Sequence, residues 1–103
     1  MLFRSRREEL DCLARDIRLA PDAAFLQYRY GMLLYLHRRF EEAEAALRKA
    51  SDLEPNNPQF LMGVVLFYKE QGQPEKAVPL AEKLASLRPD DEMYRQILRE
   101  LRP

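Results

Sequence analysis

His37 is the only histidine and Cys12 the only cysteine in 103 residues, so acid–base or thiolate chemistry would have to be built from these two. His37 stands at the predicted end of a helix beside Arg38 and Arg39. With no paired nucleophile or orienting acid, it reads as a cation complementing the helix dipole. Cys12 has Glu8 and Asp16 one helical turn away on either side. Acidic neighbours disfavour a thiolate, so Cys12 reads as a surface thiol. Glu41, Glu42 and Glu44 resemble a carboxylate pair but open a helix, where negative charge complements the dipole. Gly31, Gly63 and Gly72 lie too far apart for a phosphate-cradling loop. One cysteine provides neither a multi-Cys metal site nor a Cys-x-x-Cys-His haem attachment. The reading assigns no catalytic residue, no metal and no cofactor: the chain is not an enzyme.

Composition narrows the remaining classes. Seventeen Lys and Arg balance seventeen Asp and Glu, and a net charge of zero argues against a nucleic-acid partner. Residues 1–39 hold eight Arg against five acids, so Arg4, Arg6, Arg7, Arg38 and Arg39 are a candidate basic edge, read first as a solvated face. An apolar content of 47% with 10% aromatic residues argues for a folded domain with one modest core. The run Phe60–Tyr68 is far short of the ~20 residues that span a bilayer, so no membrane insertion is expected. Met1-Leu2-Phe3 runs into Arg4 without the apolar segment of a signal peptide, and a lone cysteine leans slightly toward a reducing compartment.

The elements are announced by a spacing. Leu19-Ala20-Pro21, Leu53-Glu54-Pro55 and Leu87-Arg88-Pro89 recur every 34 residues, and Asp22, Asn56 and Asp90 follow the three prolines. In the same register Glu41 falls on Glu75, Ala43 on Ala77, Lys49 on Lys83 and Asn57 on Asp91. A period of this length marks helix-turn-helix units that stack on their neighbours. Helices are predicted over Asp22–His37 and Asp91–Leu101, with others opening at Ser5, Phe40 and Pro74. Ser5 and Glu8 form a capping box, and Leu10, Leu13, Ala14 and Ile17 recur on one face. Gly31 inside a helix costs about 1 kcal/mol relative to Ala, which close approach of a neighbouring helix would explain. Pro58 and Pro74 suit the first helical position, where a missing N–H costs little. Pro79 lies further in and predicts a bend rather than a break.

These residues resemble the tetratricopeptide repeat family. Gly31 stands at its small position, and Ala43, Leu47, Ala50 and Pro55, then Val64, Tyr68, Gly72, Ala77, Leu84 and Pro89, fill corresponding places. The sequence departs from the family at Gln27, where a large apolar residue is usual, at Arg38, where Gly is frequent, and at Pro74 and Ala81. The resemblance implies an all-α, antiparallel helix-hairpin solenoid of six helices with right-handed superhelical stacking. Residues 1–103 then form one domain: a lone second helix over 1–21, repeats over 22–55 and 56–89, and a terminal first helix over 90–103. Polar residues on the outer sides of the first and last helices make both ends look finished, although an excised piece of a longer array fits as well.

The helix Asp22–His37 carries nearly two apolar stripes where a surface helix has one. Leu26, Tyr30, Leu33 and Leu34 are assigned to the core. Phe25, Tyr28, Met32, Tyr35 and Leu36 form the second set. By the resemblance, first helices line a concave groove, which places this second set there with Met62, Leu66 and Met93, edged by Arg29, Lys69 and Glu70. An alternative packs Met62 and Leu66 wholly against Met93 and Ile97. The family's carboxylate clamp uses Lys, Asn and Arg where this chain has Tyr28, Met32 and Gly63, so an apolar or amphipathic peptide or helix is the expected protein partner. The alternative function is structural: homo-oligomerisation through the same face, or docking within a larger bacterial protein of the kind to which such repeats are appended.

Overall fold

A computed structural model describes residues 6–102. The Ser5–Glu8 capping box and the contribution of Arg4 to a basic edge lie outside the described residues. Those described form six α-helices and no strand: α1 (Arg6–Leu19), α2 (Ala24–Leu36), α3 (Phe40–Leu53), α4 (Pro58–Glu70), α5 (Pro74–Leu87) and α6 (Glu92–Leu101). Arg6, Phe40 and Pro74 open α1, α3 and α5, while Ala24, Pro58 and Glu92 open α2, α4 and α6, each at intervals of 34 residues. The proline period is a period of helices, and the architecture is the expected all-α array of helix hairpins.

Contacts divide the chain into two units, Met1–Glu54 and Pro55–Pro103. In the first, α2 packs on α1 and α3; in the second, α5 packs on α4 and α6. The α2–α3 hairpin closes tightly at Gly31, where a Cβ would come within 2.7 Å of Leu47 Cγ and 3.1 Å of the Leu47 backbone nitrogen. Leu34, Ala43, Leu47 and Ala50 seal that core. In the second unit Leu61, Val65 and Tyr68 of α4 and Ala77, Ala81 and Leu84 of α5 are buried.

The turns within the two hairpins are built alike. The N–H of Arg39 donates to the Leu34 carbonyl and that of Arg38 to Tyr35; Gln73 donates to Tyr68 and Gly72 to Lys69. These crossed bonds satisfy the open carbonyls of a helix end and require one left-handed residue. That residue is Gly72 at φ 70° in one turn and Arg38 at φ 61° in the other. The departure at Arg38 therefore changes the residue and leaves the turn intact, with strain that glycine would avoid.

Helix starts differ from the expectation by one or two residues. α2 begins at Ala24 and not Asp22, because Ala23 is extended (φ −80°, ψ 94°) as the N-cap. α6 begins at Glu92, with Asp91 as its N-cap. Pro58 and Pro74 sit at the helix starts, and α5 runs unbroken through Pro79. Asn57 Oδ1 accepts from the Gln59 N–H at 3.0 Å, and Asp91 Oδ1 from the Met93 N–H at 2.9 Å. Ala23 occupies the same backbone geometry without a side-chain acceptor.

Two stability changes follow. Gly31→Ala gains about 1 kcal/mol of helix propensity but overpacks a sealed contact at a cost of about 1–3 kcal/mol, so a lower urea midpoint is expected. Ala23→Asp supplies the missing N-cap acceptor and a negative charge at the helix start, and should raise stability by about 1 kcal/mol in the same measurement.

Candidate functional site

The candidate residues divide between the two units. On α2, the buried residues are Ala24, Gln27, Gly31 and Leu34. Of the four residues assigned to the core, only Leu34 is fully buried; Leu26, Tyr30 and Leu33 are half-buried. The core side of the helix instead runs through Gln27, whose Nε2 donates to the Pro21 carbonyl at 3.3 Å. Satisfying this donor allows a polar side chain to be buried at a position where a large apolar residue is usual. Apolar periodicity left Gln27 out of the core set, since it gives a polar residue no place there, although the resemblance marks its position as one where a large apolar residue is usual.

The opposite side of α2 is open. Phe25, Arg29, Met32 and Leu36, spaced i, i+4, i+7 and i+11, are all exposed, and Phe25, Met32 and Leu36 retain 56%, 42% and 55% of their accessible surface. Tyr28 and Tyr35, seven residues apart, are half-buried along one edge of this stripe. Tyr35 is held edge-on to Phe40, the first residue of α3, with ring centroids 5.4 Å apart. The Arg29 guanidinium lies 6.0 Å from the Phe25 ring centroid, within reach of a cation–π attraction that keeps the cation on the stripe. The surface is an apolar ridge with one positive charge in it, so it suits hydrophobic contact with a single polar anchor.

In the second unit, Leu66 of α4 and Met93 of α6 are exposed at 43% and 55%, and Met62 and Ile97 are half-buried. The alternative in which these four pack wholly on one another does not hold. Lys69, expected as a polar anchor, already donates from Nζ to Glu100 Oε1 at 2.8 Å, tying α4 to α6. Glu70 is exposed.

The residues considered for chemistry are scattered. His37 is the C-cap of α2, and its Nε2 is buried without a hydrogen-bond partner. Cys12 is half-buried rather than a surface thiol, with Arg15 Nη2 3.6 Å from its Sγ. Arg39, part of the candidate basic edge, makes paired 2.8 Å bonds to Glu42, which lower the Glu42 pKa and raise that of Arg39. Among the described residues no three His, Cys, Asp or Glu side chains cluster as a metal site, and no helix is long and apolar enough to cross a membrane.

The tetratricopeptide repeat family model matches residues 19–101. No curated protein matches the sequence. Among solved structures, the crystal structure of MamA is similar over 93% of this chain and 56% of that chain, at 21% identity and a TM-score of 0.82. The first tetratricopeptide domain of Spaghetti (RPAP3), bound to the HSP90 peptide SRMEEVD, is similar over 93% of this chain and 78% of that one, at 18% identity and a TM-score of 0.77. The second such domain of human RPAP3, in complex with the HSP70 peptide SGPTIEEVD, gives 95% and 82%, 18% identity and a TM-score of 0.78. At these identities the likeness is one of fold. The chain spans little more than half the length of the MamA structures it matches.

The α4–α6 tie has a pH signature. Glu100 has a lowered pKa, first because Lys69 donates to it and then because Gln96 does. A depressed carboxylate pKa contributes stability that is present above the ordinary glutamate value of about 4.3 and lost as pH falls through the lowered one. An NMR titration should place the Glu100 midpoint below that of an ordinary glutamate, and Lys69→Met should move it back up.

Proposed function

The chain belongs to the tetratricopeptide repeat family, and from that premise we propose that it is a non-catalytic protein-interaction module. Its partner is an apolar or amphipathic segment that lies along α2, the first helix of the first whole repeat. The observation carrying this reading is the open stripe of α2, where three large apolar side chains keep about half their surface in water. Contiguous exposed apolar surface of this kind usually marks an interaction site. Phe25, Met32 and Leu36 supply the contact, Tyr28 and Tyr35 an amphipathic edge, and Arg29 a polar anchor. Leu66 and Met93, with Met62 behind them, offer a smaller apolar surface of the same type on the second unit.

The peptide-bound RPAP3 domains support an interaction role, since chains of this fold hold peptides. Their ligands end in acidic residues, and the resemblance places Tyr28, Met32 and Gly63 where a carboxylate clamp would need Lys, Asn and Arg. The chemistry of the α2 stripe therefore favours hydrophobic anchors at i, i+3 or i+4 and i+7, as an amphipathic helix presents them. A second reading, in which this stripe packs on another part of a longer polypeptide, is favoured by the partial coverage of the MamA structures.

Phe25→Glu combined with Met32→Glu tests the first reading. Both side chains are exposed, so far-ultraviolet circular dichroism should be unchanged while capture of partners from the native host falls at least about tenfold, the loss typical of a hot-spot truncation. Undiminished capture would remove α2 as the binding surface.

A further inference from the structure

Methionine is among the residues most often buried, because its flexible thioether fills gaps in a core. This chain uses it otherwise. Of its four methionines, Met1 lies outside the described residues, Met32 and Met93 are exposed, and Met62 is half-buried. The buried cores of both units are built from Leu, Ala, Val, Phe and Tyr side chains. The 34-residue period shows where the three described methionines stand. Met62 is the counterpart of Tyr28, and Met93, two periods on, that of Phe25. Each therefore occupies a position of the α2 stripe or its edge.

Met32 is the middle of that stripe. Tyr28 and Arg29 lie one turn before it and Tyr35 and Leu36 one turn after, at the spacings that make neighbours on a helix surface. A contact that covers the stripe therefore covers this sulfur. On α4 the same position is Leu66, an apolar side chain of similar volume, so the repeat does not require a thioether here. An accessible thioether has a chemistry that leucine lacks. The sulfur lone pair attacks one oxygen of hydrogen peroxide, the O–O bond breaks and an S–O bond forms. The second oxygen takes up the proton of the first and leaves as water, so sulfur is oxidised by two electrons and the peroxide reduced by two. Methionine sulfoxide reductases reverse the step at the expense of a dithiol, which becomes a disulfide as the oxygen departs in water.

We propose that Met32 is an oxidation-sensitive switch on the α2 surface: as a thioether it seats an apolar partner segment, and as a sulfoxide it weakens that contact reversibly. This rests on the reading of α2 as the binding surface. The switch acts on binding and not on folding because of where Met32 stands. In the free chain its side chain is exposed, so water solvates a sulfoxide oxygen and no packing is lost. Under an apolar partner the same oxygen is pressed against groups that donate no hydrogen bond, which is costly. Were Arg29 to donate to it instead, the partner would lose its polar anchor, so either course weakens the contact. Met93 carries the corresponding exposed sulfur on the smaller surface of the second unit and serves as an internal comparison.

Fluorescence anisotropy of a labelled amphipathic helical peptide, with leucines at i, i+4, i+7 and i+11, tests this on the full chain before and after hydrogen peroxide. Peptide mass spectrometry locates each added oxygen, and treatment stops when Met32 is converted. Binding should weaken at least about tenfold, the loss expected when a polar atom is buried unpaired, while circular dichroism and the urea midpoint stay unchanged. The two epimer-specific methionine sulfoxide reductases, supplied with dithiothreitol, should restore both mass and affinity. For each variant the quantity read is the ratio of treated to untreated affinity. That ratio should be unchanged by peroxide in Met32→Leu, although Met62, Met93 and Cys12 remain oxidisable, and should fall by the native factor in Met62→Leu with Met93→Leu, which keeps Met32. Binding that survives complete Met32 sulfoxide formation would overturn the proposal. So would a loss in Met32→Leu equal to the native one, no loss in the double variant, or a urea midpoint that falls on oxidation in the native chain but not in Met32→Leu. Those outcomes leave the α2 surface standing. A native chain that does not bind the peptide, or binds it equally well after Phe25→Glu with Met32→Glu, would remove that surface and the proposal with it.

Discussion

The contact of Gly31 with Leu47 is the constraint on which the first unit depends. A helix that carries no side chain at this point can bring its backbone against α3, and the buried Leu47 side chain fills the space a Cβ would have taken. That approach fixes the rotation of α2 about its own axis. Once Gly31 faces α3, residues 24, 27 and 34 must face inward with it, since they lie within one side of a helix of 3.6 residues per turn. Phe25, Met32 and Leu36 are then turned outward whatever their hydrophobicity. Local propensity would resist a glycine here; packing decides the matter.

Much of this was legible in the sequence, and the reasons differ from residue to residue. The helix count, the hairpin order and the reason for Gly31 followed from a period that repeats prolines, caps and small residues together. Helix starts were less legible, because Asp22 and Ala23 give no local sign that the chain turns at Pro21 and Asp22 and is extended at Ala23 before the helix opens at Ala24. The core side of α2 was misjudged for a physical reason: nearly every residue of that helix is apolar, so hydrophobicity carries little information about direction. Gly31 and Gln27 carry it instead, one by lacking a side chain and the other by reaching the Pro21 carbonyl. Burial on α4 was easier to foresee at Val64 and Tyr68 because their places in the repeat are apolar in the family they resemble. The pairing of Lys69 with Glu100 joins residues 31 apart in the chain and could not be read from either helix alone.

The period also supplies an internal control on the α2 stripe. The counterparts of Phe25 and Leu36 on α4 are Gln59 and Glu70, both polar and exposed, while that of Met32 is the exposed Leu66; on α6 Phe25 and Met32 fall on the exposed Met93 and the ion-paired Glu100. At two of the three places on α4 the same fold therefore holds together with polar side chains. Burial within the hairpin does not explain Phe25 and Leu36, which remain more than half exposed. Nor does helix propensity, since Phe is a poorer helix former than the Gln or Glu found at the equivalent places. What distinguishes α2 is surface chemistry: large apolar groups in water, an aromatic edge at Tyr28 and Tyr35, and a cation resting against the Phe25 ring. Apolar groups kept in water confer no stability on the monomer, and the contact over α2 proposed above is the reading that fits the difference between α2 and α4.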